Sequence, residues 1–208
     1  AAELDGLRSA LVQGQLAVIN ALRLRLRDQL DNPEARTCLG AFVEQDELDA
    51  VLTAPNPATA LLANQSKTIN RFFANETAPT VLLAEFQNTL NDITNIQGGC
   101  ERIKTTAFPD SVTYISKSLV TVLALLIPAV FLEPNEVIYP LELAVVLFIS
   151  LAFVVVYQLA LELMHPFDNG RNDTPMSTLC NTIERDLVTM LGDADIPDQL
   201  QPVKGVLM

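Results

Sequence analysis

An uncharged apolar stretch from Leu143 to Leu161 constrains the fold more than any other feature of the sequence. Its residues are LAVVLFISLAFVVVYQLAL, and Glu142 and Glu162 stand at its two ends. Because a helix rises about 1.5 Å per residue, roughly 20 apolar residues cross the hydrocarbon core of a bilayer. A buried helix of a soluble core is the alternative, but such a helix usually keeps a polar stripe. The stretch therefore predicts a membrane-spanning helix.

A second uncharged stretch lies upstream, at residues 118–132. It is short for a span, and it becomes long enough when it is extended back through Val112. Pro128 removes one backbone hydrogen bond, so we expect a kink of the kind that membrane helices tolerate. The connection at residues 133–140 holds two prolines, two acids and no base. We interpret it as a turn outside the bilayer, which makes the two stretches a transmembrane helical hairpin.

Basic residues flank the predicted hairpin and are absent from its turn. They are Arg102, Lys104 and Lys117 before it, and Arg171 and Arg185 after it. Because Lys and Arg concentrate on the cytoplasmic side of a membrane, both termini are expected on the cytoplasmic, stromal or matrix side. The membrane is then a bacterial inner membrane or an organellar one, such as a plastid thylakoid or mitochondrial inner membrane.

The rest of the chain predicts an all-α protein, because apolar residues recur at helical spacing and no strand pattern occurs. Gly98 and Gly99 are expected to end a helix over 79–97 as a C-cap, and Asp173 and Thr174 to cap a last helix. The predicted organisation has four parts: a helical bundle at 1–110, the hairpin at 111–164, a helix packing on the bundle at 165–191 and a tail at 192–208. We expect the tail to be ordered only where a partner holds it.

Alternating leucine and arginine mark residues 22–27, within a helix predicted over 3–30. Helical periodicity spreads Arg23, Arg25 and Arg27 around the helix at roughly 100° steps. The first interpretation is solvated or salt-bridged arginines. The second is a basic lining that faces an ion path.

Composition limits the function classes. A net charge of −12 argues against nucleic acid as a partner. The single histidine, His165, leaves little material for a metal site or a catalytic triad. Three scattered cysteines form no Cys-x-x-Cys pair, so we expect reduced thiols. No paired carboxylates share a deep helix face, so we expect neither an enzyme nor a cofactor.

Two segments are more particular than generic helix. Residues 98–109 are GGCERIKTTAFP, and residues 162–175 are ELMHPFDNGRNDTP, followed at 180–187 by CNTIERDL. In this order, on either side of a hairpin, they resemble the bestrophin family of pentameric anion channels, above all its bacterial and plastid members. The resemblance covers residues 8 to 190.

The resemblance implies site residues. A cytosolic pore aperture falls on Thr106, Phe108 and Pro109, with Ala107 where the family has proline. A buried core position is the alternative for Phe108. The structural motif residues implied are Gly98, Gly99, Glu101, Arg102, Pro166, Phe167, Asn172 and Asp173.

The departures from the family are also informative. The chain begins Ala1-Ala2-Glu3, after the spans in which bestrophins place their neck, so those spans are expected to be missing. Residues 168–173 carry two acids and a base where calcium-activated members carry an acidic run, so no calcium clasp is expected.

Two functions are then predicted. The first is a passive channel subunit for chloride or similar monovalent anions, as a homopentamer in a lipid bilayer. The second is a non-conducting structural subunit among other membrane subunits.

Overall fold

The structure is a computed structural model that describes residues 2–75, 80–106, 109–131, 140–193 and 195–202. Over these ranges the chain is helical, with no strand, which confirms the all-α prediction. The helices are α1 (Ala2–Leu26), α2 (Pro33–Gly40), α3 (Gln45–Thr53), α4 (Pro57–Asn75), α5 (Thr80–Thr105), α6 (Asp110–Phe131), α7 (Pro140–Glu162) and α8 (Met176–Leu191). The chain divides into two compact units. Unit 1 comprises Ala1–Lys104 and Phe167–Met208, and unit 2 comprises Thr105–Pro166.

Helix α1 is the centre of unit 1. It packs against α4, α8 and α2. Its inward side carries small and branched apolar residues that let neighbouring helices approach closely, including Ala17 and Ala21 at 0% exposure. The charges at its two ends interact favourably with the helix dipole: the first turn holds Glu3 and Asp5, and the last turn holds Arg23 and Arg25. The buried core around α1 consists of Ala17, Val18, Ala21, Leu24, Ala35, Leu39, Val43, Leu48, Val51, Ala58, Leu61, Leu62, Ile69 and Leu90.

Helix α1 ends four residues earlier than the sequence predicts. The backbone turns at Asp28, whose φ is 53°, a conformation that short polar side chains tolerate. A short helix, α2, follows with Pro33 in its first turn, where proline costs no hydrogen bond.

The predicted C-cap at the glycine pair is wrong. Helix α5 continues through Gly98 and Gly99 to Thr105. Among the described glycines only Gly192, just past α8, takes the positive φ of a C-cap, at 78°. Gln97 and Glu101 flank the glycine pair, and Gln97 donates a hydrogen bond to Glu101 one turn later, at 2.9 Å. Both side chains are also held by other elements, and this anchoring outweighs the roughly 1 kcal/mol helix penalty of each glycine.

The predicted cap of the last helix is also wrong. Pro175 occupies the N-cap position of α8, and no side chain caps it. Asp173 accepts instead a hydrogen bond from the Gly170 backbone N–H at 2.8 Å. The carboxylate therefore closes the turn that precedes the helix.

The described part of the tail lies along α8. Asn181 donates to the Asp198 carbonyl at 3.1 Å and accepts from the Leu200 N–H at 3.1 Å. Arg185 Nε donates to the Pro197 carbonyl at 3.0 Å. The chain's own helix thus supplies partners for the tail backbone.

Unit 2 is a pair of helices, α6 and α7, packed against each other. The Ser150 hydroxyl lies 3.1 Å from the carbonyl of Ala124, and the Tyr157 hydroxyl donates to the carbonyl of Thr113 at 3.0 Å. These two contacts show that the helices run antiparallel. Within the described residues one helix is long and apolar enough to cross a membrane, Leu143–Glu162, and 11% of its most apolar window is buried. A shorter apolar segment of α6 covers Ser111–Ile127.

Candidate functional site

The connection between α5 and α6 carries the predicted aperture. Thr106 and Pro109 are exposed. The Pro109 carbonyl accepts hydrogen bonds from the backbone N–H groups of Val112 and Thr113, at 2.9 and 3.3 Å. Pro109 therefore lies directly before α6, and its carbonyl accepts the first hydrogen bonds of the helix. Ala107 and Phe108 lie outside the described residues, so the assignment of Phe108 to a constriction stays a prediction.

Glu101 of the CERI segment joins three elements of unit 1. Its Oε1 accepts a hydrogen bond from Asn56, just before α4, at 2.8 Å and lies 3.3 Å from Nε of Arg25 on α1. The side chains of Arg25 and Glu101 are 34% and 22% exposed, so the pair is partly shielded from solvent. Sequence analysis named Glu101 as a motif residue, and the structure shows that it ties α5 to α1 and α4.

Gln97 completes this network from a buried position, at 3% exposure. Its Nε2 donates to the Thr59 hydroxyl at 2.9 Å and lies 3.3 Å from the Asn56 side-chain oxygen. Sequence analysis treated Gln97 only as the last residue of a helix. The sequence signal for its role in this network was its position one helical turn before the motif residue Glu101.

Lys104, at the end of α5, connects the residues that follow α1 with the turn after α7. Its Nζ lies 2.9 Å from a carboxylate oxygen of Asp28 and 2.7 Å from one of Asp168. Burial alone would lower the pKa of Lys104, but hydrogen bonds to Asp168 and Asp28 outweigh burial and raise it. Phe167, next to Asp168, is buried at 6% exposure. Through two ion pairs, Lys104 therefore ties Asp168 to the end of α5 and to Asp28 just after α1.

The remaining motif residues have varied surroundings. Gly98, Gly99, Arg102 and Asn172 are exposed, Pro166 is half-buried, and Asp173 closes the Gly170 turn. Among the side chains that the structure describes, no group of three His, Cys, Asp or Glu residues is placed to hold a metal ion.

The three alternating arginines have different partners. Arg25 faces Glu101 and also donates to the Pro55 carbonyl at 2.8 Å. Arg23 and Arg27 point instead to Ser177 in the first turn of α8, at 3.2 and 2.8 Å. The salt-bridge interpretation therefore holds for Arg25 alone. Sequence analysis missed Ser177, because no local pattern relates it to arginines about 150 positions earlier.

Cys180 is expected to be much less reactive than Cys100. Burial raises the pKa of the Cys180 thiol to about 11, and the side chain is 6% exposed. At pH 8 only about 0.1% of such a thiol is the reactive thiolate. Timed alkylation of the folded protein, followed by peptide mass spectrometry, should modify the half-buried Cys100 first. Equal rates before unfolding would contradict this assignment.

The model of the family described as Bacterial/Fungal Bestrophin protein matches residues 2–189. The voltage-dependent anion channel-forming protein YneE of Salmonella typhi is 30% identical over 193 residues, which are 93% of this chain and 61% of that protein. The protein of the same name from Escherichia coli K12 is 30% identical over 188 residues, which are 90% of this chain and 60% of that protein.

Solved structures agree. A bacterial bestrophin homolog from Klebsiella pneumoniae superimposes with a TM-score of 0.82 at 26% identity, covering 91% of this chain and 68% of that chain. The present chain thus spans about 61% of the length of the curated relatives that it matches first.

Proposed function

Because the chain belongs to the bacterial and fungal bestrophin family, we propose that it is a subunit of a passive anion channel. One observation carries this proposal: relatives named as voltage-dependent anion channel-forming proteins align with 93% of the chain at 30% identity. A homopentamer that conducts chloride or similar monovalent anions is the specific form we propose.

The test is reconstitution of the purified full-length protein in lipid vesicles. We expect chloride efflux that starts when a potassium ionophore dissipates the membrane potential that opposes it. We also expect the particle mass to equal that of five subunits. An intact oligomer without anion flux would contradict the channel and favour the non-conducting structural subunit. A conducting oligomer of another size would contradict only the pentamer.

We also propose that α6 and α7 span the membrane as a hairpin. The apolar stretch Leu143–Glu162 supports this, because it is long enough and mostly outside the protein interior. Large apolar side chains such as Phe148 and Leu125, each 72% exposed, would meet lipid. Ser150 and Tyr157 bond to backbone carbonyls, as polar groups in hydrocarbon must. A bacterial inner membrane or an organellar membrane fits this proposal.

The hairpin predicts that Asn135 and Asn172 lie on opposite sides of the membrane. The physical reason is the excess of Lys and Arg on the flanks, which favours their retention on the cytoplasmic side. Single cysteines at these positions, in a background without the native cysteines, are labelled with an impermeant reagent in intact vesicles. Residues 132–139 lie outside the described residues, so labelling is the direct measurement. Labelling of both positions from one side would exclude the hairpin.

Phe108→Ala is expected to change anion selectivity if this residue lines the aperture. A narrow apolar ring makes ions shed water, so its removal should weaken discrimination between strongly and weakly hydrated anions. Stability should change by less than about 0.5 kcal/mol, as for an exposed position. Permeability ratios and thermal unfolding are measured on the same variant. A loss of roughly 3–5 kcal/mol with unchanged ratios would identify a core phenylalanine instead.

A further inference from the structure

Two arginines of unit 1 share one hydroxyl. Arg23 Nη1 and Arg27 Nη1 lie 3.2 and 2.8 Å from Ser177 Oγ. Arg23 lies in the last turn of α1, and Arg27 directly follows the helix with its backbone N–H bonded to the Arg23 carbonyl at 3.1 Å. This spacing of one helical turn brings like charges together, and they repel. The structure therefore holds two guanidinium groups together at one small neutral side chain.

Neither charge has a counter-ion among the residues that the structure describes. Arg25 and Arg36 each form an ion pair with an acid, whereas neither Arg23 nor Arg27 does so within the described ranges. Apart from Ser177, Arg23 donates to the Cys38 sulfur at 3.2 Å, and a thiol is a weak acceptor. The Nε atoms of Arg23 and Arg27 are both buried without a hydrogen-bond partner among the described residues. Partly buried guanidinium groups are normally paired with an acid.

Nearby acids do not fill this role. Asp173 acts on Arg27 electrostatically, but the structure places it outside ion-pair distance and its carboxylate accepts from the Gly170 N–H. Burial first, and then the charge of Arg23, lower the pKa of Arg27. The chain has 25 acids against 13 bases. Acids are therefore abundant, yet none of those in the described ranges forms an ion pair with Arg23 or Arg27.

We propose that Arg23, Arg27 and Ser177 form a binding site for a free tetrahedral oxyanion with two negative charges, such as phosphate or sulfate. Guanidinium groups present several N–H donors in a planar fork that matches oxyanion oxygens. The Ser177 oxygen accepts hydrogen bonds from both arginines, which leaves its hydroxyl hydrogen to be donated to the anion. Two positive charges favour a doubly charged anion over chloride. This site lies in unit 1 and does not rest on the proposed channel activity.

The experiment uses the purified full-length protein in detergent. Inorganic phosphate, sulfate and chloride are titrated at matched ionic strength while thermal unfolding is followed. We expect phosphate and sulfate to raise Tm with saturation and chloride not to. Arg27→Gln should weaken phosphate binding, measured by calorimetry, about tenfold or more, since one charge-assisted hydrogen bond is lost. Arg36→Gln is the control, because it removes the same charge from an exposed pair with Asp49.

Each outcome decides for or against the site. Saturable phosphate binding that Arg27→Gln weakens and Arg36→Gln keeps supports it. No preference over chloride, or equal loss in both variants, overturns it. So does a change of oligomer mass in Arg27→Gln without any phosphate effect, because the partner is then a carboxylate of another copy. If Arg27→Gln does not fold, Ser177→Ala replaces it, and phosphate binding should fall about threefold.

Discussion

Replacing Leu48 by alanine is expected to lower the free energy of unfolding by about 3 kcal/mol. Leu48 lies on α3 at 0% exposure, within the buried cluster that α1 and α4 complete. A Cβ added at Gly40 would stand 3.4 Å from one of its methyl groups, so α2 and α3 approach each other at this side chain. Truncation leaves a cavity that two short helices refill only in part, and its size sets the cost.

The measurement is denaturant unfolding of the full-length protein, with fluorescence or circular dichroism as the signal. Leu4→Ala on α1 is the matched control, because Leu4 is 62% exposed and should change stability by less than about 0.5 kcal/mol. Similar losses in the two variants would mean that α3 is not part of the cooperative core.

Glu101→Ala is expected to cost about 2 kcal/mol, the second-largest effect. The change removes the common acceptor of Arg25, Asn56 and Gln97. Buried Gln97 and half-buried Arg25 would lose a charged partner, which in a fully buried pair costs about 3–5 kcal/mol. Because Arg25 and Glu101 are 34% and 22% exposed, water screens part of this loss.

Two further variants separate charge from hydrogen bonding. Glu101→Gln keeps one acceptor oxygen and removes the charge, so it should lower the free energy of unfolding by about half as much as Glu101→Ala does. Asp92→Ala removes an exposed acid from the same helix and should be nearly neutral. A Glu101→Ala protein as stable as the Asp92→Ala protein would show that the network does not hold α5.

The sequence by itself determined the helical class, the long apolar helix and the family. Periodicity and the absence of charge over Leu143–Leu161 are local properties, and a helix satisfies its own backbone wherever it lies. The family resemblance rested on the CERI segment, the residues from Pro166 to Asp173 and the following Ile183-Glu184, in this order around the hairpin. The family match over residues 2–189 confirms it.

Only the tertiary structure decided what those residues contact. Gly98 and Gly99 stay helical because Gln97 and Glu101 are anchored on other helices, and local glycine statistics contain no such information. Asp173 bonds to Gly170 rather than to the helix that it precedes. Arg25 finds an acid, whereas Arg23 and Arg27 meet Ser177 about 150 residues away. These pairings depend on how α1, α5 and α8 pack, and packing is a property of the whole fold rather than of any segment.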